Sequence, residues 1–107
     1  MTKEQKREAL LALERGCQIR HNYIDCAGKT CAIGALAKRA NAPRDALEKA
    51  DSACINTCKD LVGMIEERFG LNCHQQYSIQ NLNDKFDDVE DRTEAITRYV
   101  NGLPTTD

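Results

Sequence analysis

Apolar residues recur every three or four positions along much of the chain, the spacing of amphipathic helices. Thr2 followed by Gln5 forms a capping-box pattern, and Ala9, Leu10, Leu13 and Cys17 step along one face, with Gly16 offering a stop. This predicts a first helix over about residues 3–15. From Gly16 to Thr30 the period is lost among the turn formers Asn22, Asp25 and Gly28, so this stretch reads as a loop, with room for a short extended piece at 18–23. Thr30 is placed to N-cap a second helix whose apolar face is Ile33, Leu36, Ala37 and Ala40, punctuated by Asn41 and Pro43.

The strongest periodic signal follows, in Leu47, Ala50, Cys54, Cys58, Leu61, Ile65 and Phe69 up to Gly70. Unbroken, that helix would run about 27 residues, longer than is usual in a globular domain, and Asp51-Ser52 offers a place to split it. Residues 71–90 hold Tyr77, Ile79, Leu82 and Phe86 among polar neighbours and read as a loop with one helical turn ending at Asn83-Asp84. In the last helix Asp91 and Glu94 suggest an acidic capping box. Ala95, Ile96, Tyr99, Val100 and Leu103 form its apolar face, Gly102 and Pro104 end it, and residues 104–107 read as a frayed tail. The expected fold is a single all-α domain, a bundle of four to five helices with a long irregular loop between helices 1 and 2.

Length and charge restrict what such a domain does. At 107 residues it has room for one modest core and no separate substrate domain. Fifteen basic against 17 acidic residues give a net charge of -2, which argues against direct nucleic-acid binding driven by phosphate contacts. The charge is unevenly spread, since residues 1–50 are net +4 and residues 51–107 net -6. No apolar run reaches the roughly 18 residues of a membrane span, and the N-terminus lacks a signal-peptide core, so the expectation is a cytoplasmic protein with no membrane contact.

Six cysteines are the compositional anomaly. In a reducing compartment they would be thiols or metal ligands rather than disulfides. Cys54 and Cys58 stand four apart, a spacing that supplies two zinc ligands from one helix, and Cys17 with His21 makes a second such pair, with Cys26, Cys31 and Cys73 as further donors. Against zinc, Cys54 and Cys58 lie on the apolar stripe, where a thiol serves as a small core residue. No cofactor is therefore expected. Cys31 near a helix start, followed by His74 and Asn83, has the order of a papain-like thiol hydrolase, but no strand is evident to carry the histidine. Gly28-Lys29-Thr30 is not a phosphate-binding loop, because Tyr23 stands where the motif needs its first glycine.

Asp84, Asp87, Asp88, Glu90, Asp91 and Glu94 crowd one short segment. The spacing is not that of a calcium loop. It suits either a solvated helix entrance, where acids are favoured by the helix dipole, or a surface offered to a basic partner.

At Cys31-Ala32-Ile33-Gly34-Ala35-Leu36, and later at Ile79-x-x-Leu82-Asn83-Asp84 before a terminal helix with Arg92 and Ala95, the chain resembles a group of small uncharacterised proteins of bacteriophages and bacteria. The resemblance covers about two-thirds of the chain. It implies a shared architecture in which Gly34 and Ala35 permit tight packing and Asn83-Asp84 caps or braces the loop after Gly28, but it implies no activity. The chain departs from the group in lacking a tryptophan near the Asn-Asp pair and in carrying Cys54, Cys58 and Cys73. A phage origin points to a small inhibitor or adaptor of a host or defence-system protein. The leading expectation is thus a non-enzymatic binding module acting through Asp84, Asp87, Asp88, Glu90 and Asp91, with a homodimer also compatible. The alternatives are a hydrolase using Cys31, His74 and Asn83, or a zinc module on Cys54, Cys58, Cys17 and His21.

Overall fold

A computed structural model describes the chain except Asn22 and residues 52–54, and side chains except those at 49–58 as well. Six helices are present among the described residues: α1 (Lys3–Glu14), α2 (Ala32–Arg39), α3 (Arg44–Asp51), α4 (Ile55–Phe69), α5 (Cys73–Lys85) and α6 (Val89–Asn101). The all-α expectation holds, with one or two more helices than expected. No described helix is long and apolar enough to cross a membrane.

The start of α1 follows from local chemistry, since the Thr2 side chain accepts from the Gln5 amide and the Gln5 side chain accepts in return from the Thr2 amide. At α2 the cap is Cys31 rather than Thr30, its sulfur accepting from the Gly34 amide at 3.4 Å, while Thr30 instead turns its hydroxyl to the Gly16 carbonyl at 3.2 Å. Asn41, with φ 68°, closes α2, and the Ala42 and Asn41 amides return to the carbonyls of Ala37 and Lys38. This is a Schellman turn, which explains why asparagine stands there. The long apolar stripe is divided between α3 and α4. Ala50, Cys54 and Cys58 of that stripe lie outside the described side chains.

Two expectations are corrected. Residues 73–85 are a 13-residue helix, not a loop, opened by a capping box between Asn72 and Gln75. Its buried face is Gln76, Ile79 and Asn83, at helical spacing but mostly polar, so it leaves no apolar stripe to read. Helix α6 begins at Val89 with Asp88 as its cap, ahead of the Asp91 entrance expected, and its buried face starts at Arg92 before Ile96 and Val100.

Ala32 to Ala37 are all buried, so α2 forms the centre of the molecule and packs on α1, α3, α4 and α5. A helix buried on every side must be small and apolar. Gly34 shows how tight the fit is, because a Cβ there would lie 2.0 Å from the Tyr23 carbonyl oxygen. Around α2 the core is closed by Leu13, Leu47, Ile65, Phe69, Leu71, Ile79, Ile96 and Val100. Helix α1 packs on α6 and α4, and α5 on α6. The last residues, expected to fray, hydrogen-bond to the first: the Thr106 amide donates to the Met1 carbonyl at 2.9 Å, and the Lys3 amide to the Asp107 carboxylate at 2.8 Å.

Candidate functional site

The segment between α1 and α2 holds no regular element among its described residues, only an isolated bridge between Ile24 and Thr30. It is fixed from outside by the end of α5. Asn83, 1% exposed, donates from Nδ2 to the Ile19 carbonyl at 2.9 Å and accepts at Oδ1 from the Ala32 amide at 3.0 Å. One side chain therefore clamps the loop and the first residue of α2 together. Asp84 continues the clasp, accepting from the His21 amide at 3.1 Å, with His21 Nδ1 3.9 Å from its second oxygen. Arg20 reaches the Asp84 carbonyl at 3.2 Å and pairs with the Asp87 carboxylate at 2.7 Å. The Asn-Asp pair thus braces the early part of the loop, at residues 19–21, and the start of α2 rather than the stretch just after Gly28.

The acidic residues beyond the clasp separate into two kinds. Asp84 and Asp88 serve the fold: the first holds His21, and the second caps α6 by accepting from the Glu90 amide at 2.7 Å. Asp87 is exposed but engaged with Arg20, and its carbonyl accepts from Arg92 Nη2 at 3.2 Å. Glu94 pairs with Arg98 on its own helix at 2.7 Å. Glu90 and Asp91 are left on the surface of the first turn of α6, and neither carboxylate meets a cation among the described residues. Beside them Val89 is 43% exposed, an apolar contact point within a negative surround.

The residues of the hydrolase alternative do not form a presented nucleophile. Cys31 is 4% exposed and its sulfur is the α2 cap; both ends of the Asn83 amide are committed to backbone; His74 stands exposed in the first turn of α5. Of the zinc alternative, Cys54 and the Cys58 side chain lie outside the described residues. Cys17 is buried with its thiol toward the Leu13 carbonyl at 3.6 Å, and His21 is exposed. Burial pushes the Cys17 thiol above its ordinary value, against smaller opposing pulls from the Thr93 hydroxyl and the Arg92 guanidinium. Among the described residues no three His, Cys, Asp or Glu side chains gather as a metal site.

Sequence reading missed Arg20 and the burial of Arg92. Arg92 is 4% exposed, and its Nε and Nη1 have no hydrogen-bond partner among the described residues, an unusual state for a buried guanidinium. Its position four residues before Ile96 on the apolar face is the signal that places it inside. No family model, curated protein or solved structure matches the chain.

Proposed function

We propose that the protein is a small non-enzymatic binding module that docks a basic surface of a partner protein on the first turn of α6. The observation that carries this reading is the pair Glu90 and Asp91, exposed, without a cation among the described residues, and set beside the exposed Val89. An apolar contact ringed by like charge suits an interface in which electrostatics raises the association rate and selects the partner. Asp87 adds a third carboxylate at the rim, while Asp84 and Asp88 act indirectly by fixing the turn on which the others stand.

The mode of action would be occlusion of the partner's basic patch. A host or defence-system protein in the cytoplasm is the partner class that fits the resemblance to small phage and bacterial proteins. The test is capture from bacterial lysate followed by native mass spectrometry, comparing the natural chain with Glu90→Gln/Asp91→Asn. The expected result is a stoichiometric protein partner retained by the natural chain, released by salt, and lost from the variant while its unfolding midpoint is kept. Equal capture by both chains, or a partnerless homodimer, would refute this reading.

A further inference from the structure

A second feature lies away from the acidic turn, in an open cavity of about 400 Å³ where the end of α1, the loop at 27–30 and α2 meet. Its lining includes Arg15, Lys29, Lys38 and Arg39 and, among the described residues, no aspartate or glutamate. In a chain of net charge -2 this is a local concentration of one sign, and a concave wall focuses the field of such a group. Arg39 is partly compensated by Glu8 at 2.7 Å. Arg15, Lys29 and Lys38 form no ion pair among the described residues, and all three are exposed. Leu11, 44% exposed, adds an apolar edge to the same lining.

We propose that this cavity binds a small phosphate-bearing molecule, the phosphate lying among Arg15, Lys29 and Lys38 and the organic part against Leu11. Three uncompensated cations match the charge of a phosphate ester better than that of one carboxylate, and the volume lies within the roughly 300–1,000 Å³ of small-molecule clefts. The site is built before any ligand arrives. The Asp25 carboxylate accepts from the Ala27 and Lys29 amides, both at 2.9 Å, and Arg44 holds the carbonyls of Asp25 and Cys26 at 3.0 and 3.3 Å. Those bonds turn the amides of Ala27 and Lys29 toward Asp25, so recognition rests on side-chain cations. This differs from a phosphate-binding loop, where backbone amides cradle the anion, and it makes binding steeply sensitive to salt.

The experiment is titration of the ¹⁵N-labelled full chain with adenosine monophosphate, pyrophosphate and adenosine at low ionic strength, with affinities from calorimetry. The expected result is saturable binding of both phosphate compounds, shifts at the amides of Gly28, Lys29 and Lys38, and no binding of adenosine. Lys29→Gln and Lys38→Gln, both exposed and outside the core, should each weaken adenosine monophosphate about tenfold, the effect of losing one charge-assisted bond. Lys59→Gln, an exposed lysine on α4 outside this lining, should leave it unchanged. Absence of binding at millimolar ligand, or binding unaffected by the two lining variants, would overturn the site. Tighter binding of a single-stranded oligonucleotide than of adenosine monophosphate would overturn the small-molecule assignment and make the cavity part of a nucleic-acid contact.

Discussion

Replacing Asn83 by alanine tests whether one polar side chain holds the loop to α2. The substitution removes the partner of the buried Ala32 amide and of the part-buried Ile19 carbonyl. A buried donor left unsatisfied costs about 1–3 kcal/mol, and the carbonyl, which water can partly reach, adds less, so the loss should be about 2–4 kcal/mol. That is a large share of the roughly 5–15 kcal/mol by which a domain is stable. At about 4–8 °C per kcal/mol for a chain near this size, the thermal midpoint should fall by about 8–32 °C. The assay is urea unfolding followed by circular dichroism, with Asn81→Ala, an exposed site on the same helix, as the control expected to stay within about 0.5 kcal/mol. Asn83→Leu restores the filled volume but leaves the same groups unpaired, so it should recover little. Native-state hydrogen exchange should show the Ala32 amide opening faster in both Asn83 variants. If Asn83→Ala unfolds within about 0.5 kcal/mol of Asn81→Ala, the clasp contributes nothing to stability and this account of the loop is wrong.

Two glycines should respond in opposite directions: Gly34→Ala forces a Cβ to 2.0 Å from the Tyr23 carbonyl oxygen and should cost about 3 kcal/mol or more, whereas Gly63→Ala, in open space within α4, should stabilise by about 0.5–1 kcal/mol, both read by urea unfolding. Iodoacetamide on the folded chain should modify the exposed Cys26 and Cys73 well before the buried Cys17 and Cys31, as mapped by peptide mass spectrometry. Rapid labelling of Cys31 would contradict its role as a buried cap and revive the nucleophile. The Arg39 guanidinium, hydrogen-bonded at 2.8 Å, holds the Glu8 carboxyl below its ordinary value. Its contribution is therefore present above the ordinary carboxylate range and lost as pH falls through the depressed value. Stability measured from pH 7 to pH 2 should drop less steeply in Glu8→Gln, and the same acid slope in both chains would refute the pairing.

Legible in the local sequence were the helical class, the capping box at Thr2 and Gln5, the stop at Asn41, the buried Ile33, Leu36 and Ala37 of α2 and the acidic segment around the start of the last helix. Each depends on residues within a turn or two of one another, where periodicity and capping act directly. Tertiary structure decided most of α5: its Asn72–Gln75 capping box is local, but its inward face sets Gln76 and Asn83 beside Ile79. Gln76 faces the core because its Nε2 finds the carbonyls of Val62 and Leu71, and Asn83 because its Nδ2 finds the Ile19 carbonyl and its Oδ1 the Ala32 amide. Both side chains enter the core where backbone groups of other segments bond to them, and hydrophobic patterning carries no record of those partners. The same holds for the cavity lined by Arg15, Lys29, Lys38 and Arg39. Their charges are scattered along the chain, and only the packing of α1, the loop and α2 sets them around one space.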